Sequence, residues 1–174
     1  MLERRGLIHF AGEDTTAIGA DFQTGQKAPG LSAHAQDEST PQVLASTAGK
    51  MRNIVLLSSL DTSRGEHETD RLSKEASALP EDVILTLLSI ARPWRQKNWR
   101  AVAGMERLTT SSDHKCIGFG KKNGMLSKQP SIHQPAVFVV EHNDADICAE
   151  YLPSLGDEPD FADELKPARQ ALES

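Results

Sequence analysis

Asn53-Ile-Val-Leu-Leu-Ser58, then Ser59-Leu60-Asp61-Thr62-Ser63-Arg64-Gly65, then Glu66 to Leu79, is the stretch whose reading decides the fold. The first segment is a short apolar run of strand length. It has too little polar alternation for an edge strand and reads as a strand covered on both faces. The second is a polar turn. The third reads as a helix, because Thr69, Leu72, Ala76 and Leu79 recur at i, i+3, i+7 and i+10 and share one face. Asp61, Thr62 and Ser63 are all good N-cap residues, and Glu66 and Glu68 sit where the positive end of a helix dipole favours acid. A buried strand that runs into a helix N-terminus points unpaired backbone N–H groups at whatever lies beyond it. That is a favourable place for chemistry.

Downstream, Val83 to Ile90 is a second and almost wholly apolar run, so the two strands and their helix predict a βαβ unit with a right-handed crossover. Ala136 to Val140 is a third strand and Ile147 to Tyr151 a fourth, joined through the polar turn Glu141-His-Asn-Asp144. From Asp160 onward the composition is helical, with Phe161, Leu165 and Leu172 as core contacts and Pro167 as a kink or restart. Upstream, Leu7-Ile8-His9-Phe10 and the turn Ala11-Gly12-Glu13-Asp14 predict a hairpin with Thr15 to Ile18. Ser32 to Thr47 is polar and reads as a surface loop around a weak strand at Gln42 to Ala45, and Ala48-Gly49-Lys50 then turns into the central strand. No internal repeat is present. The expectation is one α/β domain over residues 1–174, a mixed sheet flanked by helices, with 1–24 as an N-terminal hairpin extension.

A chain of 174 residues is enough for one domain with a real core. Its net charge of −6 argues against generic binding to nucleic acid or anionic membranes. No apolar run approaches a membrane span, and Met1-Leu-Glu-Arg-Arg leads into no signal-peptide core, so a cytoplasmic protein is expected. The two cysteines, Cys116 and Cys148, are far apart and form no CxxC pair, which argues against a disulfide framework.

The strand, turn and helix resemble the thiol peroxidase family of peroxiredoxins. In that family the turn reads Pro-Ser-(Leu/Ile)-Asp-Thr-x-x-Cys, and the helix dipole helps to hold the peroxidatic cysteine as thiolate. The resemblance covers nearly the whole chain and needs few or no gaps from Asp82 to Phe161. Gly25-Gln-Lys-Ala-Pro-Gly-Leu31 is similar to the family's Gly-x-x-Ala-Pro-x-Phe. Ser89-Ile-Ala-Arg-Pro-Trp-Arg-Gln-Lys-Asn-Trp-Arg100 is similar to Ser-x-Asp-Leu-Pro-Phe-Ala-Gln-x-Arg-(Trp/Phe)-Cys. Phe119-Gly-Lys-Lys-Asn-Gly124 resembles Phe-Gly-Lys-Ala-Tyr-Gly, and Gln134-Pro-Ala-Val-Phe-Val-Val140 resembles Ala-Arg-Ala-Val-Phe-Val-Val. Glu150-Tyr-Leu-Pro153 and Glu158-Pro-Asp-Phe161 match the closing Glu-Tyr-Val-Pro and Glu-Pro-Asp-Tyr. The resemblance implies a thioredoxin-like fold of the peroxiredoxin type that begins with a hairpin. It also implies a homodimer paired around the active-site helix, and no cofactor.

The departures are as specific as the matches. Gly65 stands at the peroxidatic cysteine position and Arg100 at the resolving one. Pro135 stands where the family places the arginine that polarises peroxide, and it has neither charge nor N–H. Ser58 replaces the family's proline, and Ala91 the aspartate of Asp-Leu-Pro. Of the peroxide-handling set only Thr62, with Asp61 beside it, remains, and helix capping alone accounts for both. A hydrogen atom cannot replace a thiolate, so peroxidase chemistry is expected to be lost and the scaffold kept.

Three function classes compete. The first is a non-catalytic member that binds a protein partner or a small anionic ligand. Its candidate residues are Asp61, Thr62, Arg64, Arg92 and Arg95 around an emptied pocket at a helix N-terminus, against a reading of the arginines as solvated surface. The alternative is a residual thiol-dependent peroxidase or oxidoreductase using Cys116 or Cys148. Cys148 lies in a strand pattern, where burial quenches a thiol, while Cys116 follows His114 and Lys115 in a loop-like stretch. The third is a nucleic-acid module built on Arg92 to Arg100, four cations interleaved with Trp94 and Trp99. The acidic whole opposes it, and both tryptophans are expected to be packing residues. The six histidines do not cluster, and His114 with Cys116 lacks a second pair at zinc spacing, so no metal site is expected.

Overall fold

The hairpin strands come first in the computed structural model, which describes residues 2–20, 25–27, 43–57, 63–103, 108–114, 118–122, 124–129, 131, 133–144, 147–151, 166 and 170. β1 (Glu3–Phe10) pairs antiparallel with β2 (Glu13–Ile18), and β2 pairs with the two-residue β6 (Leu126–Ser127). The hairpin is thus longer than the apolar residues alone predict. Its register slips between Arg5 and Ile8, where the extra residues form a bulge.

The main sheet has the order β5-β4-β3-β7-β8, made of β3 (Met51–Leu56), β4 (Val83–Ser89), β5 (Leu108–Ser112), β7 (Ala136–Val140) and β8 (Ile147–Tyr151). β3 pairs parallel with β4 and β4 parallel with β5, whereas β7 runs antiparallel to both β3 and β8. A parallel pair needs a crossover, and α2 (Ser63–Ala78) and α3 (Pro93–Ala103) supply the two. The short turn after Val140 is enough for the antiparallel pair. All the strands expected in the central sheet are therefore present.

All six residues of β3 are buried, with side chains alternating between two cores. Ile54 and Leu56 meet Leu88, Phe138, Phe119 and Leu44 on one face. Val55 and Leu57 meet Leu85, Leu87, Val137 and, from α2, Leu72 and Ala76 on the other. Phe138 stands edge-on between Phe119 and Tyr151, with ring centroids 5.8 and 5.7 Å away.

Two boundaries differ from the expectation. The strand expected at Gln42 to Ala45 is not seen over Val43 to Ala45, because Val43–Ser46 is a single helical turn, α1, and Gln42 lies outside the described residues. Leu44 is buried and Ala45 exposed, and Thr47 and Ala48 donate back to the carbonyls of Leu44 and Ala45, a local helical-turn pattern. The long helix begins at Ser63, earlier than Glu66, so Ser63 is inside the helix rather than its cap. The polar β5, Leu-Thr-Thr-Ser-Ser, was not expected at all, since it lacks the apolar signal of a strand. The C-terminal helix with Phe161, Leu165, Pro167 and Leu172 lies outside the described residues, as do residues 28–42 around the Gly25 motif. No helix among the described residues is long and apolar enough to cross a membrane.

Arg52 is the largest fully buried side chain of the sheet. Its Nη1 donates to the Thr47 carbonyl at 3.0 Å, and its Nη2 pairs with Asp144 in the β7–β8 turn, where Asp144 has φ 59°. Burial lowers the Arg52 pKa from its ordinary value, and the Asp144 carboxylate is the counter-charge that makes that burial tolerable.

The hairpin is fastened to the main body at α4 (Gly118–Lys122). Arg4 donates from Nε to the Gly19 carbonyl at 3.0 Å and from Nη2 to the Gly124 carbonyl at 2.7 Å. Gly19 has φ 106°, and a Cβ there would overlap the Lys121 carbonyl oxygen. Nearby, Lys128 pairs with Glu3 at 2.7 Å, and that hydrogen bond lowers the Glu3 pKa. Gly19→Ala should therefore lower the unfolding free energy by about 1–3 kcal/mol, read from urea denaturation. An unchanged midpoint would mean that hairpin and α4 do not approach this closely.

Candidate functional site

Three parallel strands end at the same edge of the sheet. Leu56 at the end of β3 lies opposite Ala136 at the start of β7, so that edge also receives the segment leading into β7. The carboxyl edge of parallel strands is where loops and helix N-termini converge on a ligand. Here it collects Leu57, the start of α2, the Ser89–Pro93 turn, Ser112 to His114, and His133 to Pro135.

Gly65 is the third residue of α2, within the first turn, whose N–H groups have no partner inside the helix. Pro135 is buried one residue before β7, at the same edge. Arg92 and Arg95 are exposed at the start of α3, a helix with no acid in its first turn. Arg100 is seven residues into α3 from Pro93, roughly 10 Å along the helix from that edge. The structure thus gathers Gly65, Pro135, Arg92 and Arg95 at one edge and sets Arg100 further along. Arg64 belongs to the first turn of α2 by its backbone. Asp61, Thr62 and Cys116 lie outside the described residues, and Cys148 is opposite Val139 in β8.

Trp94 corrects an expectation. It is 54% exposed rather than packed, with the Arg95 guanidinium 5.7 Å from its ring centroid. Pro93 at the first helical position and Gln96 face inward instead. The Trp99 side chain lies outside the described residues.

Behind the edge is a polar layer that the motifs did not announce. Gln96 Nε2 donates to Ser89 Oγ and to the Ser111 carbonyl, both at 2.9 Å, which ties α3 to β4 and β5. Ser112 Oγ donates its one proton to the Ala91 carbonyl at 2.6 Å, since a carbonyl can only accept. His114 Nδ1, 2.8 Å from the same Oγ, must then be the donor in that contact. Ser112 is consequently not arranged as a nucleophile with a histidine base.

Asp113 anchors the next layer. Its Oδ1 accepts from the Gly118 N–H at 2.9 Å, and its Oδ2 from Phe119 and Gly120 at 3.0 and 3.1 Å. The fully buried His133 places Nε2 3.2 Å from the same Oδ2 without hydrogen-bond alignment, and its Nδ1 has no partner among the described residues. Gly120 makes room for that ring, as a Cβ there would stand 2.7 Å from His133 Cδ2 and Nε2. Sequence reading missed Asp113 and His133 because they stand five and fifteen positions from the start of α4 at Gly118, with no local capping pattern.

Among the described residues no three His, Cys, Asp or Glu side chains converge as metal ligands. An open groove of about 370 Å³ is lined by hairpin residues, among them Phe10, Glu13 and Asp14, and by Lys128 and Gln129 after β6, with none from the edge that holds Gly65.

No protein-family model matches the chain. Among curated proteins it is similar to the thiol peroxidase of Halalkalibacterium halodurans, 34% identical over 165 residues, covering 95% of this chain and 98% of that one. The thiol peroxidase of Oceanobacillus iheyensis is 34% identical over 154 residues, covering 88% and 93%. Among solved structures, a peroxiredoxin-like protein from Aquifex aeolicus superposes with a TM-score of 0.81 at 21% identity, covering 96% of each chain. A thiol peroxidase from Chromobacterium violaceum gives a TM-score of 0.82 at 19% identity, covering 95% of this chain and 97% of that one. These superpositions show the thioredoxin-like fold of the peroxiredoxin type.

Asp113→Ala should destabilise the protein by roughly 3 kcal/mol in urea denaturation, because it strands buried N–H donors at α4. Asp113→Asn, which keeps an acceptor oxygen, should lose less. Equal losses would mean that the contact to His133, rather than the cap, dominates.

Proposed function

The chain belongs to the thiol peroxidase family of peroxiredoxins, and from that footing we propose that it has lost peroxidase activity and serves as a non-catalytic binding or regulatory protein. One observation carries the reading: the first turn of α2, where the family's nucleophile belongs, has Gly65 there. Arg100 cannot close an intramolecular disulfide, and Pro135 offers no guanidinium to peroxide. The three losses remove attack, resolution and activation of the same reaction. The scaffold that held them is intact: two crossovers, a fully buried β3 and a helix N-terminus at the carboxyl edge of the sheet.

The surface at that edge favours a partner that is anionic. Arg92 and Arg95 are exposed at the positive end of α3, Trp94 offers an aromatic face beside them, and Arg64 opens α2. With Asp61 and Thr62 they make up the proposed ligand set, for a small anion or an acidic segment of a protein partner in the cytoplasm. Self-association into a homodimer belongs to the same proposal.

The wild-type protein should show no thioredoxin-coupled peroxide consumption above a control without enzyme. Turnover that vanishes in Cys116→Ser or Cys148→Ser would overturn the proposal and establish a residual thiol enzyme.

Gly65→Cys tests whether the geometry outlasted the nucleophile. A thiol in the first turn of α2 should have a lowered pKa, read from the pH dependence of its alkylation, with circular dichroism confirming the fold. Its thiolate attacks one peroxide oxygen; an S–O bond forms, the O–O bond breaks and hydroxide leaves, giving a sulfenic acid. Reaction should stop after one equivalent, since Arg100 cannot resolve that product. Adding Pro135→Arg should raise the rate by stabilising thiolate and developing charge. A folded variant whose thiol titrates like free cysteine would show that the turn has lost its geometry too.

A further inference from the structure

Exposed apolar surface concentrates on one strand. Among the described residues, the large hydrophobic side chains left most exposed are Leu2, Leu7 and Phe10, at 58%, 45% and 42%, with Trp94 elsewhere. The first three lie on or beside β1, which pairs only with β2 among the described residues. Among the described residues no strand lies against its outer edge, and β1 has neither lysine nor proline to discourage pairing. We propose that β1 pairs antiparallel with β1 of a second copy about a two-fold axis at Gly6, joining two three-stranded hairpin sheets into one of six strands.

The register follows from which side chains face which way. Arg4 pairs with Ala17, and Ile8 and Ala17 are buried together, so the even-numbered positions of β1 face inward and Glu3, Arg5 and His9 face outward. A two-fold axis normal to the sheet keeps like faces together, so only positions of the same parity can oppose each other. Centring on Gly6 sets Leu2 against the partner's Phe10 and Glu3 against the partner's His9. Arg4 then opposes the partner's Ile8, Arg5 faces the partner's bulge, and no arginine meets another. Centring on Arg5 would put that residue against itself, and centring on Leu7 would put Arg5 against His9, both unfavourable.

The charges beside the seam extend the match. Lys128 holds Glu3 at 2.7 Å, and His9 lies 2.6 Å from Asp14. Across the seam the order becomes Lys128, Glu3, the partner's His9, the partner's Asp14, alternating in sign whenever His9 is protonated. Gly6 has no side chain to obstruct the axis. Gly6, at φ 71°, and Leu7 form the bulge, which limits pairing to the arms on either side, residues 2–4 and 8–10, instead of one unbroken ladder. The contact is independent of the loss of peroxidase chemistry and of the surface at Trp94.

Leu2→Cys combined with Phe10→Cys tests the register directly. Within one chain these positions lie eight residues apart on a strand, about 26 Å when extended, far beyond disulfide reach. Mild oxidation should give a covalent dimer whose peptide map shows 2–10 links in large excess over 2–2 and 10–10 links. An even mixture of links, or no covalent dimer, would overturn the proposal. A second measurement uses no new thiol. His9→Glu places like charges at both ends of the seam and should weaken self-association in sedimentation equilibrium by about tenfold. An unchanged association constant, or a wild-type protein that stays monomeric, would also overturn it.

Discussion

The structure depends on one constraint, the burial of β3 on both faces. A strand in that position cannot leave either row of side chains in water, so each row needs its own layer. α2 covers one face with Leu72 and Ala76, and Leu44, Phe119 and Met125 cover the other. Its backbone needs partners on both edges as well, and β4 and β7 provide them in opposite directions. Once those neighbours are in place, the carboxyl end of β3 can only emerge where α2 begins. The edge that gathers Gly65, Pro135 and the start of α3 is thus a consequence of burying six residues.

What the sequence made legible follows from the same physics. β3, β4 and β7 are runs of aliphatic and aromatic residues, and their strand character could be read directly. β5 could not be, because Thr109, Thr110, Ser111 and Ser112 look like a loop until β4 pairs with them and Gln96 bonds to the Ser111 carbonyl. Gln42 to Ala45 misled in the other direction, since its apolar residues suggested a strand where Val43–Ser46 closes a helical turn. At the site, the position of residue 65 was readable from a motif, while the polar layer behind it was not. Asp113 and His133 are brought together only by the chain's return through α4 and β6, and no spacing rule encodes that meeting. Trp94 was misjudged because a tryptophan usually packs, whereas here Pro93 and Gln96 take the inward positions of the first turn.

Loss of a nucleophile does not remove the electrostatics that once served it. The N–H groups of α2's first turn remain unsatisfied within the helix whether or not a thiolate follows them, and the first turn of α3 still carries cations without acids. The anion preference proposed for that edge draws on these backbone groups as well as on the exposed Arg92 and Arg95.

Asp144 shows how narrowly one surface position can be specified. Its backbone, at φ 59°, admits glycine, asparagine and aspartate with little strain and excludes most other side chains. The buried guanidinium of Arg52 separately demands a carboxylate within reach. Glycine and asparagine pass the first filter and fail the second; glutamate carries the charge and fails the first. The intersection of the two sets holds a single amino acid, on a turn that is partly open to solvent. Drift at this position is therefore coupled to position 52, because losing the carboxylate first would strand the Arg52 charge inside the protein.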